Sequence, residues 1–95
     1  MKNGLIIDEY GTKRYYLNDQ LHRVDGPAIE YVDGSMEWHL NGKRHRVDGP
    51  AVEKANGTRY WYLSGCQVSR SEWELYRMDL FVNHRKMLTN SLNRV

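Results

Sequence analysis

His22-Arg23-Val24-Asp25-Gly26-Pro27-Ala28 recurs unchanged as His45-Arg46-Val47-Asp48-Gly49-Pro50-Ala51, 23 residues further on. Seven identities in a row do not arise by chance in a chain of 95 residues, so the chain is built by repetition. The period extends in both directions. Gly11, Gly34 and Gly57 keep it, as do Thr12, Ser35 and Thr58, then Tyr15, Trp38 and Trp61. Leu17, Leu40 and Leu63 follow, then Asn18, Asn41 and Ser64, while Ile6, Ile29 and Val52 hold the register on the leading side. Nearly three copies are present. The third loses its motif, because Val68-Ser69-Arg70 stands where His-Arg-Val would fall.

Turn chemistry within a copy points to hairpins. Asp33-Gly34, Asn56-Gly57 and Asn41-Gly42 are dipeptides that accept positive φ and suit type I′ turns. Asp-Gly-Pro marks a further reversal, with an Asp able to cap its own turn and a Gly-Pro that excludes helix. Each copy therefore reads as two short strands, over 28–32 and 35–40 in the middle copy, with a brief third segment over 43–46. The alternation Met36, Trp38, Leu40 against Glu37 and His39 separates two faces. Apolarity assigns Met36, Trp38, Leu40, Tyr15, Leu17, Trp61 and Leu63 to the core. It leaves Tyr16, His39 and Tyr62 as an outward ladder beside Arg14, Glu37 and Tyr60.

Trp38-His39-Leu40-Asn41-Gly42-Lys43-Arg44-His45 and its copies resemble MORN repeats, 23-residue hairpin units built on aromatic residues and glycines. The likeness covers residues 10–68 and is nearest to a divergent subgroup with a His-Arg-x-Asp-Gly-Pro-Ala block, associated with tailed phages and large DNA viruses. In place of the glycine-rich hallmark of standard units this chain has Arg-Val-Asp-Gly-Pro. The resemblance implies a phage-encoded protein acting in the host cytoplasm, one that binds a host enzyme or defence factor and inhibits or redirects it. The fold expected is mainly β, three antiparallel hairpin repeats over residues 1–68 forming one twisted sheet, with a helical cap and basic tail over 69–95.

The cap begins at a break in period. Ser69-Arg70-Ser71-Glu72 has the spacing of a capping box, in which the Ser hydroxyl and the Glu carboxylate each satisfy an amide at the helix start. Trp73, Tyr76, Leu80, His84, Met87 and Leu88 then recur at helical spacing. Such a stripe covers the last repeat, closing an edge that would otherwise invite association. With Phe81 and Met87 it could instead serve a dimer.

Composition narrows the function classes. The net charge is +2, and residues 1–68 carry nine Lys/Arg against nine Asp/Glu, too balanced for a nucleic-acid footprint across the repeats. Arg85, Lys86 and Arg94 form a basic C-terminal patch. A single cysteine, Cys66, excludes an internal disulfide framework and fits a reducing, cytoplasmic setting; as a nucleophile it lacks an assigned base. No apolar run approaches a membrane span, and the N-terminus does not read as a signal peptide.

The repeated His-x-x-Asp invites a metal or catalytic reading, which spacing disfavours. Copies of a two-stranded unit lie roughly 10 Å apart, too far for His22 and His45 to share one ion. His22, Arg23, Asp25, Gly26, Pro27, His45, Arg46, Asp48, Gly49 and Pro50 are accordingly read as structural, with no metal, no cofactor and no enzymatic activity expected. The functional expectation falls on Tyr16, His39, Tyr62, Arg14, Glu37 and Tyr60 as a surface for a protein partner, since half-exposed aromatics and arginines dominate binding hot spots. Two other uses compete. Aromatic ladders also stack single-stranded nucleic acid, and an open sheet edge or the C-terminal helix could join copies into a homodimer or larger assembly.

Overall fold

Two turn chemistries alternate along the chain and lay out its strands. The computed structural model describes residues 1–79. Asn18-Asp19 (φ 50° and 66°), Asn41-Gly42 (51° and 81°) and Ser64-Gly65 (50° and 86°) place both central residues at positive φ, the signature of a two-residue type I′ turn. The Asp33-Gly34 turn differs from the sequence expectation. Only Gly34 has positive φ (94°); its N–H donates to the Tyr31 carbonyl at 3.0 Å, and the Tyr31 N–H donates to the Ser35 carbonyl at 2.9 Å. That is a three-residue loop, a type I turn followed by a left-handed glycine. The Asp33 carboxylate selects it by accepting the Ser35 N–H at 2.8 Å. Asn56-Gly57 closes in the same way, with the Thr58 N–H on Asn56 Oδ1 at 3.0 Å.

These turns link β1 (Gly4–Ile7), β2 (Lys13–Leu17), β3 (Gln20–Leu21), β4 (Ile29–Glu30) and β5 (Met36–Glu37). β6 (His39–Leu40), β7 (Lys43–Arg44), β8 (Val52–Glu53), β9 (Arg59–Leu63) and β10 (Cys66–Val68) follow, then a helix, α1, over 70–79. The fold is mainly β and antiparallel. The main sheet runs β1-β2-β4-β5-β8-β9-β10 with β3 also against β2, and β6 and β7 form a separate ribbon. The strand expected over 35–40 is split at Trp38. Its first half joins the main sheet, while His39 and Leu40 pair with Arg44 and Lys43. Contacts repeat at the sequence period: the Tyr15 and Trp38 N–H groups donate to the Ala28 and Ala51 carbonyls, both at 2.8 Å.

The seven-residue motif is explained by its contacts. The Arg23 guanidinium lies 4.0 Å over the Tyr15 ring, and that of Arg46 lies 3.7 Å over Trp38. Each bonds the Asp two residues on, at 3.1 and 2.9 Å, and the carbonyl of Pro27 or Pro50, at 3.2 and 3.0 Å. The Asp thus pairs with its arginine where a capped turn was expected. Gly49 lies beneath this guanidinium, since a Cβ there would lie 2.7 Å from Arg46 Cζ and would push the arginine aside. His22 and His45 reach forward a copy. Their Nδ1 atoms accept the N–H groups of Asn41 and Ser64, both at 2.9 Å, and so fasten each motif to the following type I′ turn.

The face assignment needs correction. Glu37 and His39 are 8% and 7% exposed, whereas Trp38, Tyr15 and Trp61 are half-buried and Leu17 is 45% exposed. Alternation distinguishes two faces but does not say which is better covered. Glu37 lies in the middle of the main sheet, opposite Ile29 on one side and Val52 on the other, and both of these are buried. Residues directly opposite share a face, so Glu37 is enclosed by position despite its charge.

The capping box forms as the sequence implies. Ser69 Oγ accepts the Glu72 N–H and Glu72 Oε1 accepts the Ser69 N–H, both at 3.1 Å. One turn into the helix, Trp73 is buried. Its indole N–H donates to the Arg46 carbonyl at 2.9 Å, and its ring meets Trp61 at 6.4 Å and 50°. The start of α1 therefore packs on the Trp61 side of β9, away from Tyr16, His39 and Tyr62. Leu80, Phe81, His84, Met87 and Leu88, with Arg85, Lys86 and Arg94, lie outside the described residues.

Candidate functional site

Strand register brings three of the six expected surface residues onto one row. Arg14 lies opposite Ile29, Ile29 opposite Glu37, Glu37 opposite Val52, and Val52 opposite Tyr60. Arg14, Glu37 and Tyr60 thus form a row across the sheet, spaced roughly 10 Å apart because an aliphatic strand separates each pair. Tyr16 and Tyr62 stand two residues along from Arg14 and Tyr60 and, by alternation, on the same face. His39 occupies the equivalent position in the middle copy, in the β6–β7 ribbon.

Glu37 is the hub of this face. Its Oε2 accepts the Tyr31 hydroxyl at 2.8 Å; its Oε1 accepts Arg44 Nε at 3.0 Å and meets His39 Nε2 at 3.1 Å. A carboxylate that only accepts makes the His39 Nε2 a donor, and His39 Nδ1 then lies buried with no partner among the described residues. These bonds hold the Glu37 carboxyl down to about 2. The hydrogen bond from His39 is the largest cause, aided by Tyr31 and Arg44 and opposed by burial. Burial and donation to Glu37 raise the Tyr31 phenol above its ordinary value. A carboxylate so stabilised has little basicity at neutral pH. It anchors its neighbours rather than abstracting protons.

Around this hub two of the half-buried tyrosines, Tyr16 and Tyr62, are paired with a cation. The Arg44 guanidinium lies 5.2 Å from the Tyr62 centroid with its NH1 3.5 Å from the hydroxyl, and Lys2 Nζ lies 5.0 Å from the Tyr16 centroid. Arg14 is committed to Asp8, at 2.8 Å, and draws that carboxyl below its usual range. A shallow groove of about 190 Å³ runs beside Glu37 between Tyr31, Val52 and Lys54, smaller than the ~300 Å³ at which small-molecule sites begin.

Of the expected surface residues, Arg14, Tyr16, Tyr60 and Tyr62 lie half-buried at the surface, whereas His39 and Glu37 lie beneath it. Sequence reasoning missed Tyr31, Arg44 and Asp8. A signal for two of them was present in the repeat. The pair Asp8–Arg14 in the first copy becomes Tyr31–Glu37 in the second, an exchange of acceptor and donor at the same two positions. Among the described residues no group of three or more His, Cys, Asp or Glu side chains is placed to hold a metal ion, and Cys66 is exposed. No described helix is long and apolar enough to cross a membrane. Compared with protein-family models, curated proteins and solved structures, the chain matches none.

Proposed function

We propose that this chain is a non-enzymatic protein-interaction module, an array of three MORN-like units whose tyrosine face takes a protein partner. One observation carries the reading: Tyr16, Tyr60 and Tyr62 stand half-buried on a single face over the buried, multiply bonded Glu37. Tyr62 is tied to that hub through Arg44 and Tyr16 is covered by Lys2, so these rings lose little side-chain freedom on binding and present apolar faces with polar tips. The arginines of this face are already paired, Arg14 with Asp8 and Arg44 with Glu37, which leaves them poorly disposed toward phosphates and favours protein over single-stranded nucleic acid.

The likeness of the His-Arg-Val-Asp-Gly-Pro-Ala blocks to the viral MORN-type subgroup supports a host protein as the partner, inhibited or redirected on binding. The test compares capture from host lysate by the wild type and by a Tyr16→Ala, Tyr60→Ala, Tyr62→Ala variant. A stoichiometric partner held by the wild type and lost by a folded variant is the expected outcome. Equal capture by both, or none by either, overturns the reading.

A further inference from the structure

Position for position, β1 is the first copy's counterpart of β4 and β8. Ile6 lies opposite Arg14 as Ile29 lies opposite Glu37 and Val52 opposite Tyr60. The two inner strands have neighbours on both sides, β4 between β2 and β5 and β8 between β5 and β9. β1 stands at the end of the sheet and, among the described residues, pairs only with β2. Burial follows this difference. Ala28 and Ile29 are 0% and 5% exposed and Ala51 and Val52 0% and 6%, whereas Leu5 and Ile6, at the same positions, are 45% and 42% exposed. Ile7 beside them is 55% exposed. The inner copies also show what covers these positions: an antiparallel strand. β2 sets Arg14 beside Ile29, and the carbonyl of Ala28, repeat mate of Leu5, accepts the Tyr15 N–H at 2.8 Å. Strands that remain at an edge are guarded by charge, proline or a bulge. Leu5-Ile6-Ile7 has neither charge nor proline.

Two edges of a second copy could supply that strand. One is the last hairpin, β9 and β10, which would extend the array head to tail, but the place such a joint needs is taken. At the internal joints the loop of one copy holds the turn of the next: the Leu21 carbonyl accepts the Gly42 N–H and His22 Nδ1 accepts that of Asn41, both at 2.9 Å. At the first turn the start of the chain itself fills these roles. The Lys2 carbonyl accepts the Asp19 N–H at 2.9 Å, and Asn3 Oδ1 accepts that of Asn18 at 2.8 Å. The last copy, for its part, has Val68 where the histidine of the joint would stand. The remaining edge is β1 of the second copy, which faces neither obstacle.

We propose that β1 pairs antiparallel with β1 of a second copy about a two-fold axis, joining two sheets into one. Apolarity sets the register. Centring on Ile6 places it opposite its own counterpart and Leu5 opposite Ile7, so all three apolar side chains are shared. A shift of one residue either way sets Ile7 against Gly4 or Leu5 against Asp8. The strand is four residues long, so the dimer is of the weak, concentration-dependent kind. It uses the sheet edge and does not depend on the reading given to the tyrosine face.

Sedimentation equilibrium of the full chain, from micromolar to millimolar concentration, should give a monomer–dimer equilibrium with no larger species. Ile6→Lys, which sets like charges opposite each other at the centre of the pair, should weaken it by about tenfold. Leu75→Lys, at an exposed leucine of α1, should leave it unchanged and controls for a dimer made by the helix. A second measurement keeps the native fold. In a Cys66→Ser background, Ile6→Cys should form an intermolecular disulfide on mild oxidation about tenfold faster than Val24→Cys, because facing residues of an antiparallel pair bring their Cβ atoms within disulfide reach. A strict monomer at millimolar concentration overturns the proposal, as does an open-ended series of larger species, which would show head-to-tail growth. A dimer weakened by Leu75→Lys and not by Ile6→Lys, or equal oxidation of the two cysteine variants, overturns it too.

Discussion

At the scale of single residues, Glu37 shows how a charge can be enclosed in a thin sheet. Three donors surround its carboxylate, so its folded pKa of about 2 lies below the ordinary 4.5. The stabilisation is present above pH 4.5 and is lost as pH falls from there toward 2, because protonation is easier in the unfolded chain. A shift of this size is worth on the order of 3 kcal/mol. Chemical denaturation of wild type and Glu37→Gln across pH 2–7 should therefore give a large stability gap at neutral pH that narrows through acid. A gap independent of pH would contradict the assignment. Gly49→Ala should cost about 1–2 kcal/mol by displacing the Arg46 guanidinium from Trp38 and its bonds, and Gly26→Ala less, as a Cβ there lies 3.0 Å from Arg23 Cζ. Thermal melts of the two variants check the order. Neither glycine has positive φ. The Gly in Asp-Gly-Pro was visible as a turn residue, but its reason, an arginine folded onto it, depends on contacts that local sequence rules do not describe.

At the scale of elements, the strongest sequence signals were those with a local cause. The capping box at Ser69–Glu72 and the Asn41-Gly42 turn rest on neighbours a few residues apart and formed as their sequences imply. Two readings failed, one through a side chain bonding two residues along and one through a distant strand. Asp33-Gly34 resembles Asn41-Gly42 as a dipeptide, yet the side chain of Asp33 on Ser35 draws it into a three-residue loop. The break at Trp38 reflects a partner for His39 that arrives only with the Arg44 strand. For α1, Ser69→Ala should lower stability by about 1 kcal/mol through the lost cap. Trp73→Phe keeps a ring against Trp61 but removes the donor to Arg46, with a similar loss of ~1 kcal/mol. Calorimetric unfolding measures both, and a neutral Trp73→Phe would show that the indole N–H contributes nothing to seating the helix.

At the scale of the whole molecule, the 23-residue period and its turn dipeptides made the mainly β, antiparallel character with a C-terminal helix readable before any coordinates. They could not tell which face is enclosed. Periodicity carries no information on what lies above a lane, and apolarity placed Trp38 inside and His39 outside, whereas the middle of the sheet enclosed Glu37, and His39 in the adjoining ribbon is buried against it. The face proposed to take a partner has a buried polar floor and a tyrosine surface. Its most direct test is oxidative footprinting of the chain with and without its captured partner. The account predicts that Tyr16, Tyr60 and Tyr62 become protected together while Tyr10, 76% exposed, stays reactive. Protection at Tyr10, with Tyr16, Tyr60 and Tyr62 unchanged, would contradict it.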